Sequence, residues 1–293
     1  MTNNLQPKVT LMIKTFNRKN SLIRLLRSLN KMTISFPILI ADDSKKPYKE
    51  EILLLFKKMN IEYHVLPFDS GLSAGRNFLL RRVKTPFLIL CDDDFVFDKR
   101  ADVENALDLL IKLQYDILGG SFYNYICVEN INDLFALFLK PKKILRYFFS
   151  IPKVSRYIGR FHVTDNYCKL EITNKKTNDL ILNADVLNNF FIARTNSLKQ
   201  LNGWDEKFKL GEHEDFFYRA KLQGFKIGFY SRFGIRHYPV MNKNYQLFRQ
   251  RSMEFKKEFP KKFGFEKYVE INIDKNEVLF SYSTYEQNSI IPL

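Results

Sequence analysis

Short apolar runs that end in polar residues, each followed by apolar positions at helical spacing, organise the first 120 residues of the chain. Val9 to Ile13 is β-prone and closes on Lys14, Thr15 and Asn17, after which Leu22, Leu25, Leu26 and Leu29 recur on one helical face. The unit repeats from Phe36 to Ala41, closed by Asp42, Asp43 and Ser44 and followed by Ile52, Leu55, Phe56 and Met59. A third run, Tyr63 to Pro67, leads through a glycine-containing loop into a basic helix around Arg76 to Val83. A fourth, Phe87 to Cys91, is closed by Asp92, Asp93 and Asp94, with a helix from Ala101 to Leu113 and a strand near Ile117 beyond it. Such repetition predicts βαβ units and a mainly parallel α/β sheet covered on both faces.

The alternation dissolves over residues 121–180 into an aromatic and basic segment without clear period, which reads as an insertion. It returns with a strand-like run from Asn183 to Arg194, a turn at Gly203-Trp204-Asp205, a helix from Glu212 to Leu222 and a strand from Lys226 to Tyr230.

Composition narrows the class. The 293 residues hold 45% hydrophobic side chains, ample for a core in one large or two small domains, which excludes a disordered chain. Cys91, Cys127 and Cys168 have no paired spacing, so neither a disulfide framework nor a zinc cluster is expected and a reducing, cytoplasmic compartment fits. The first eight residues do not read as a signal peptide. The apolar stretch from Leu134 to Ile151 is broken by Lys140, Pro141, Lys142, Lys143 and Arg146 and cannot span a bilayer. A net charge of +15 suits polyanions of any kind: nucleic acid, anionic lipid headgroups, or a phosphorylated or acidic sugar. The charge concentrates between Lys140 and Arg160 and again between Lys243 and Lys267, in both cases interleaved with aromatic residues.

The acids carry more information than the bases. In a doubly wound sheet ligands bind at the carboxyl edge of the strands, where Asp42, Asp43 and Asp92 to Asp94 should converge. Three adjacent carboxylates repel one another unless a cation lies among them, which suits Mg²⁺ or Mn²⁺; a solvated helix cap is the plainer alternative. Asp43 can accept a uracil imide N–H or a ribose hydroxyl, or cap a helix. Gly71 to Asn77 opens a helix with small residues that leave backbone N–H groups accessible, and Arg76 adds a cation suited to a diphosphate, although a plain turn with a surface arginine fits equally. Glu212, Glu214 and Asp215 stand with His213 beside aromatics at a helix start, more acids than capping needs, and Asp215 is a candidate general base. His237 is a candidate metal ligand, with a structural role the alternative.

Taken in order, Thr15-Phe16-Asn17-Arg18, Ala41-Asp42-Asp43-Ser44, Gly71 to Asn77, Asp92-Asp93-Asp94 and Glu214-Asp215 resemble the inverting nucleotide-sugar glycosyltransferases of the GT-A fold, family 2-like, over about Val9 to Tyr238. More narrowly, Lys14-Thr15-Phe16, Ile40 to Ser44, Gly71 to Asn77, Asp92 to Phe97 and Asn189 to Arg194 are similar to the β-1,4-N-acetylgalactosaminyltransferases related to ganglioside GM2/GD2 synthase. The resemblance implies a GT-A, Rossmann-like catalytic domain over residues 1–240, with a nucleotide-binding part at 9–120, the insertion at about 121–180 and an acceptor and catalytic part at 181–240. A basic C-terminal extension would follow at 241–293.

It further implies that Thr15, Phe16, Arg18, Asp43, Gly71, Arg76, Asp92 and Asp93 serve the donor. Asp94, with Asp92 and His237, would hold Mn²⁺ or Mg²⁺, while Asp215 acts as base beside Glu214 and Trp204, Asp205 and Asn189 line the acceptor side. The reaction would be a single displacement from a UDP-sugar, expected to be UDP-GalNAc with GlcNAc or galactose as alternatives, onto a glycan hydroxyl. The vertebrate enzymes carry a membrane anchor and lumenal disulfides that this sequence lacks, so a bacterial enzyme building capsule or lipooligosaccharide is expected, peripheral on the inner membrane face where a lipid-linked acceptor resides. The basic aromatic stretches would meet that anionic surface or an acidic acceptor, or form a solvated face. Nucleic-acid binding explains the charge but not the acids, and no nucleic-acid partner is expected.

Overall fold

The computed structural model describes residues 8–32, 36–128, 131–239 and 250–284. β1 (Val9–Thr15) and β2 (Ile38–Asp42) are buried at every position, as strands covered on both faces must be. The helices between them obey the apolar spacing: α1 (Lys19–Lys31) turns Leu22, Leu25, Leu26 and Leu29 into the core, and α2 (Lys49–Leu55) buries Ile52. β3 (Ile61–Val65), α3 (Leu72–Leu80) and β4 (Phe87–Asp92) continue the alternation, then a short β5 (Phe95–Val96). α4 (Val103–Lys112) is capped by Asp102, whose carboxylate accepts the Asn105 N–H, and leads to β6 (Ile117–Asn124).

Residues 121–180 are more ordered than their sequence suggests. α5 (Ile131–Phe138) and α6 (Pro141–Phe148) are followed by β7 (Lys153–Ser155), β8 (Ile158–Thr164) and β9 (Tyr167–Thr173). In β9 Cys168, Leu170 and Ile172 alternate inward with period two, a signal masked by the charges at Lys169 and Glu171. The run from Asn183 to Arg194 is not one strand: β10 (Ile181–Asn183) and β11 (Phe191–Arg194) are separate, and a loop that includes Asn189 lies between them. After α7 (Thr195–Gln200) and α8 (His213–Leu222), β12 (Ile227–His237) runs well past Tyr230.

The main sheet has the order β10-β12-β6-β11-β4-β1-β2-β3, with β5 on β12 and β7 on β6. β3, β2, β1 and β4 are parallel neighbours, as are β6 and β12, and β11 is antiparallel between β4 and β6. Two further strands, β13 (Lys267–Asn272) and β14 (Glu277–Ser283), complete a second sheet of order β14-β13-β9-β8, in which β13 runs parallel to β9. The segment read as an insertion and the segment read as an extension are therefore one structure, joined by backbone hydrogen bonds between positions about 100 apart in sequence. Lys243, where the second basic stretch begins, lies outside the described residues, as do residues 1–7. No helix among the described residues is long and apolar enough to cross a membrane.

Candidate functional site

The ends of β1, β2, β4, β6 and β12 open on one side of the sheet, and strand register decides which side chains meet there. Lys14 of β1 lies beside Asp92 of β4, Thr15 beside Asp42 of β2, and His237 of β12 beside Asn124 of β6. Asp42 and Asp43 divide two tasks between them. Asp42 is fully buried and braces its loop by accepting from the Ser44 N–H at 2.8 Å and the Tyr63 hydroxyl at 2.5 Å. Asp43 faces a pocket lined by Lys14, Thr15, Phe16, Arg18, Asp69 and Gly71. Its carboxylate pairs with Lys14 and accepts the Gly71 N–H at 2.9 Å.

That bond corrects the expectation of open amides at Gly71: its N–H is already spent on Asp43. The glycine is required for another reason, a φ of +97° and a Cβ that would fall 2.4 Å from Lys209 Cγ. Gly75 makes room for Lys14, whose Cδ lies 2.3 Å from where a Cβ would stand. Lys14 was not among the expected site residues, since a lysine ending a strand is usually exposed. Here it is buried; desolvation pushes its pKa below the ordinary lysine value against the opposing pull of Asp43.

A second cavity of about 370 Å³ adjoins the first through Arg18 and Leu72, which line both. Arg76, Asp92, Asp94, Asn189, Glu212, His213, Glu214, His237 and Lys256 line it. The acid triplet splits by direction. Asp92 and Asp94 face the cavity, whereas Asp93 turns beneath it, fully buried, accepting from Thr15 Oγ1 at 2.7 Å and from Arg18 Nε at 3.2 Å. Burial, with the neighbouring Asp94 adding and Arg18 opposing, pushes Asp93 up to about 7. It ties β4 to β1, and the contact with donor expected of it is not matched by its position.

Asp94 accepts from Arg18 at 2.7 Å, and its Oδ2 lies 3.4 Å from His237 Nε2. The other ring nitrogen of His237 is 2.6 Å from the Asn124 side-chain oxygen, which can only accept, so Nδ1 carries a hydrogen and Nε2 is the nitrogen that faces Asp94. A carboxylate and an imidazole at this separation fit adjacent positions of one octahedral ion with bonds near 2.1 Å, for which a spacing of about 3 Å is expected. No group of three His, Cys, Asp or Glu residues able to hold a metal occurs among the described residues, so other ligands would have to come from substrate and water.

Arg76 is the central cation. Buried to 1% exposure, it pairs with Glu212 and, at 3.2 Å, with Asp92, and its guanidinium lies 5.5 Å from the Trp204 ring centre. Burial alone would raise Glu212, but Arg76 outweighs it and holds that carboxyl below its ordinary range. Glu214 pairs with Lys256 at 3.2 Å, and Lys256 in turn reaches Glu270 of β13 at 2.6 Å.

Besides Asp93, three expected site residues line neither the pocket nor the cavity. Asp215 is fully buried, with one oxygen accepting from Arg219 Nε at 2.8 Å and the other paired with Lys262. Arg219 also donates to the Leu201 and Gly203 carbonyls, so this cluster fastens α8 to the preceding turn. Trp204 is buried and stacked on Phe216 at 4.8 Å, and its backbone is gripped on both sides by the Asn77 amide. Asp205 is engaged by Lys262 at 2.8 Å. Asn189 does reach the cavity, where its side-chain oxygen lies 3.0 Å from His213 Nδ1.

A strand-end pocket with Asp43, Phe16 and the buried Lys14 is thus joined to a cavity lined by two arginines, Lys256 and four acids, Asp92, Asp94, Glu212 and Glu214. The glycosyl transferase family 2 model matches residues 10–168, which span both linings up to β9. The chain belongs to glycosyl transferase family 2. Among its relatives, beta-1,4 N-acetylgalactosaminyltransferase 2 of Mus musculus is 29% identical over 209 residues, covering 71% of this chain and 35% of the relative. Beta-1,4 N-acetylgalactosaminyltransferase 1 of Homo sapiens is 26% identical over 218 residues, covering 73% and 36%. The chain thus spans about a third of the length of the curated relatives it matches. Its fold is that of S. aureus TarS, a GT-A structure: residues 1–349 of TarS superpose with a TM-score of 0.53 at 19% identity, covering 79% of this chain and 60% of that one. The TarS structure in complex with UDP-GlcNAc gives 0.54 at 18% identity, with 80% and 60% covered.

Proposed function

We propose that this family 2 protein transfers an N-acetylhexosamine, GalNAc in the first instance, from its UDP-sugar to a hydroxyl of a glycan acceptor with inversion. The observation that carries this reading is the junction of the Asp43 pocket with the Asp92–Asp94 cavity at the carboxyl ends of parallel strands. The names of the relatives support GalNAc, and a neighbour of the same fold is described in complex with UDP-GlcNAc.

In this reading Asp43, with Lys14 and Gly71 fixing its carboxylate, accepts the uracil imide N–H while Phe16 lies against the base. Arg76 orients Asp92 toward the ribose and the diphosphate. Asp94 and His237 would hold a divalent cation, Mn²⁺ or Mg²⁺, which when bound supplies charge neutralisation for the departing diphosphate. Arg18 and Arg76 add positive potential on the same side. Inversion in one displacement requires a proton acceptor on the face opposite the diphosphate, and Asp215, sealed by Arg219 and Lys262, has no path to it. A peripheral seat on an anionic membrane belongs to the same reading, supported by the exposed Phe135 and Phe138 of α5 beside the basic and aromatic α6.

The test is calorimetric titration with UDP-GalNAc, UDP-GlcNAc, UDP-galactose and UDP, with Mn²⁺ and with EDTA. Metal-dependent binding that favours the N-acetylated donors, weakened at least tenfold by Asp94→Asn, is expected. Absence of binding to every UDP-sugar would overturn the donor site.

A further inference from the structure

We propose that His213 is the catalytic base of the transfer, with Asn189 as its positioning residue; the inference rests on the reading of the cavity as the site of sugar transfer. His213 is the first residue of α8 and lines the cavity that Asp215, two positions on, does not reach. Its ring is fixed on three sides. Nδ1 lies 3.0 Å from Asn189 Oδ1, Tyr157 meets the ring edge-on at 5.7 Å between centres, and Phe217 does so at 5.0 Å. Because the amide oxygen only accepts, Nδ1 carries the hydrogen and Nε2 carries the lone pair. Nε2 has no protein partner among the described residues and is not sealed from the cavity.

The carboxylates and the other histidine along this wall are engaged. Glu212 and Asp92 are held by Arg76, Glu214 by Lys256, and Asp94 by Arg18, while His237 stands with Asp94. A carboxylate neutralised by a buried cation is a weak proton acceptor, whereas an imidazole kept neutral is a competent one near pH 7. Burial lowers the His213 pKa; Glu214 and Glu212 oppose that, and Arg76 and Lys256 add to it. The positive end of α8 acts in the same sense as the two cations. The same two glutamates lie close enough to support the imidazolium once it forms.

The step balances without a further reagent. The acceptor hydroxyl gives its proton to Nε2 as its oxygen bonds to the anomeric carbon; the bond from that carbon to the diphosphate breaks and UDP leaves with the electron pair. The imidazolium then returns its proton to water.

With no acceptor yet identified, hydrolysis of UDP-GalNAc provides the readout, water standing as the acceptor. The protein carrying His213→Gln should bind UDP-GalNAc within about twofold of the unaltered protein by calorimetry yet release UDP at least a hundredfold more slowly. His213→Ala should regain part of the rate with added imidazole. The pH–rate profile of the unaltered protein should rise through an apparent pKa below the ordinary histidine value of 6.5, a limb absent from the Gln variant. Asn189→Ala should shift that limb and lower the rate about tenfold while binding persists, which keeps the idea testable if His213 variants fold poorly. Binding by the unaltered protein together with hydrolysis in His213→Gln within threefold of normal, or an Asn189→Ala protein with an unmoved profile, would refute the role of His213 and leave the donor site standing. No UDP-GalNAc binding by the unaltered protein would instead remove the reading beneath it.

Discussion

Asp215 and His213 stand two positions apart, yet one is sealed beneath α8 and the other opens to the cavity. Successive residues of a helix point about 100° apart, so within Glu212-His213-Glu214-Asp215 only partners can say which side chain faces the substrate. Arg219, four residues on, was legible as a partner of Asp215; Lys262, nearly fifty residues away, was not. The same holds for Trp204, whose place in the core depends on Asn77 and Phe216 rather than on the Gly-Trp-Asp turn that made it conspicuous. A structural Asp215 has a measurable consequence. Asp215→Asn leaves Arg219 and Lys262 without their buried counter-charge and should cost about 3 kcal/mol, the lower end for a broken buried pair because both cations are partly exposed. Thermal unfolding should fall by roughly 5–10 °C while calorimetric affinity for UDP stays within about twofold. An unchanged melting temperature with lost turnover would return the base role to Asp215.

Whole elements were more legible than single side chains where both faces of a strand are apolar. β1, β2 and β4 announce themselves as continuous hydrophobic runs closed by polar residues; of the acids at their ends, Asp43 lines the pocket, Asp92 and Asp94 line the adjoining cavity, and Asp42 and Asp93 turn into the protein. β8, β9, β13 and β14 are half-polar, and β13 pairs with β9 across about 100 residues, so no local pattern links them. Their junction bears on the cavity through a relay from Glu214 to Lys256 and on to Glu270 of β13, which also accepts from Tyr268 at 2.7 Å. Burial first, then the charge of Glu214, pushes Glu270 up to about 7 against the pull of Lys256. Below about pH 4.5 Glu270 is protonated in folded and unfolded chains alike. Between there and pH 7 only the unfolded chain ionises, so this contribution to stability declines as pH rises, and above 7 the dependence ends. Urea midpoints at pH 5 and 7.5 should therefore differ less for Glu270→Gln than for the unaltered protein. Identical shifts in both would show that Glu270 is ionised throughout and that Lys256 dominates.

At the scale of the molecule the positive charge is not spread evenly, and its densest described part is also the most apolar part of the surface. Residues 134–164 hold no acid, and Phe135, Phe138, Leu139, Leu145, Phe148 and Phe149 are exposed there among Lys140, Lys142, Lys143 and Arg146. A contiguous exposed apolar patch ringed by cations is what an anionic bilayer surface recognises, with aromatic rings entering the interface and the basic heads meeting phosphates. In the proposed reading, its place in the fold would give such a contact a purpose. Arg146 donates to the Asn124 carbonyl at 3.0 Å, and Asn124 holds His237 of the cavity, so a docked α6 would set the cavity mouth close to lipid and to an acceptor anchored in it. Flotation with phosphatidylglycerol vesicles at low salt should carry the protein upward, whereas phosphatidylcholine vesicles should not. Reversing Lys142 and Lys143 to glutamate should weaken binding at least tenfold, since each basic residue near such a surface contributes about 1 kcal/mol. Phe148→Ser with Phe149→Ser should abolish it without moving the melting temperature, because neither ring is buried in the fold. Equal binding to both lipids would make the attraction merely apolar; no binding to either would leave the patch to some other partner and remove the membrane from the reading of this protein.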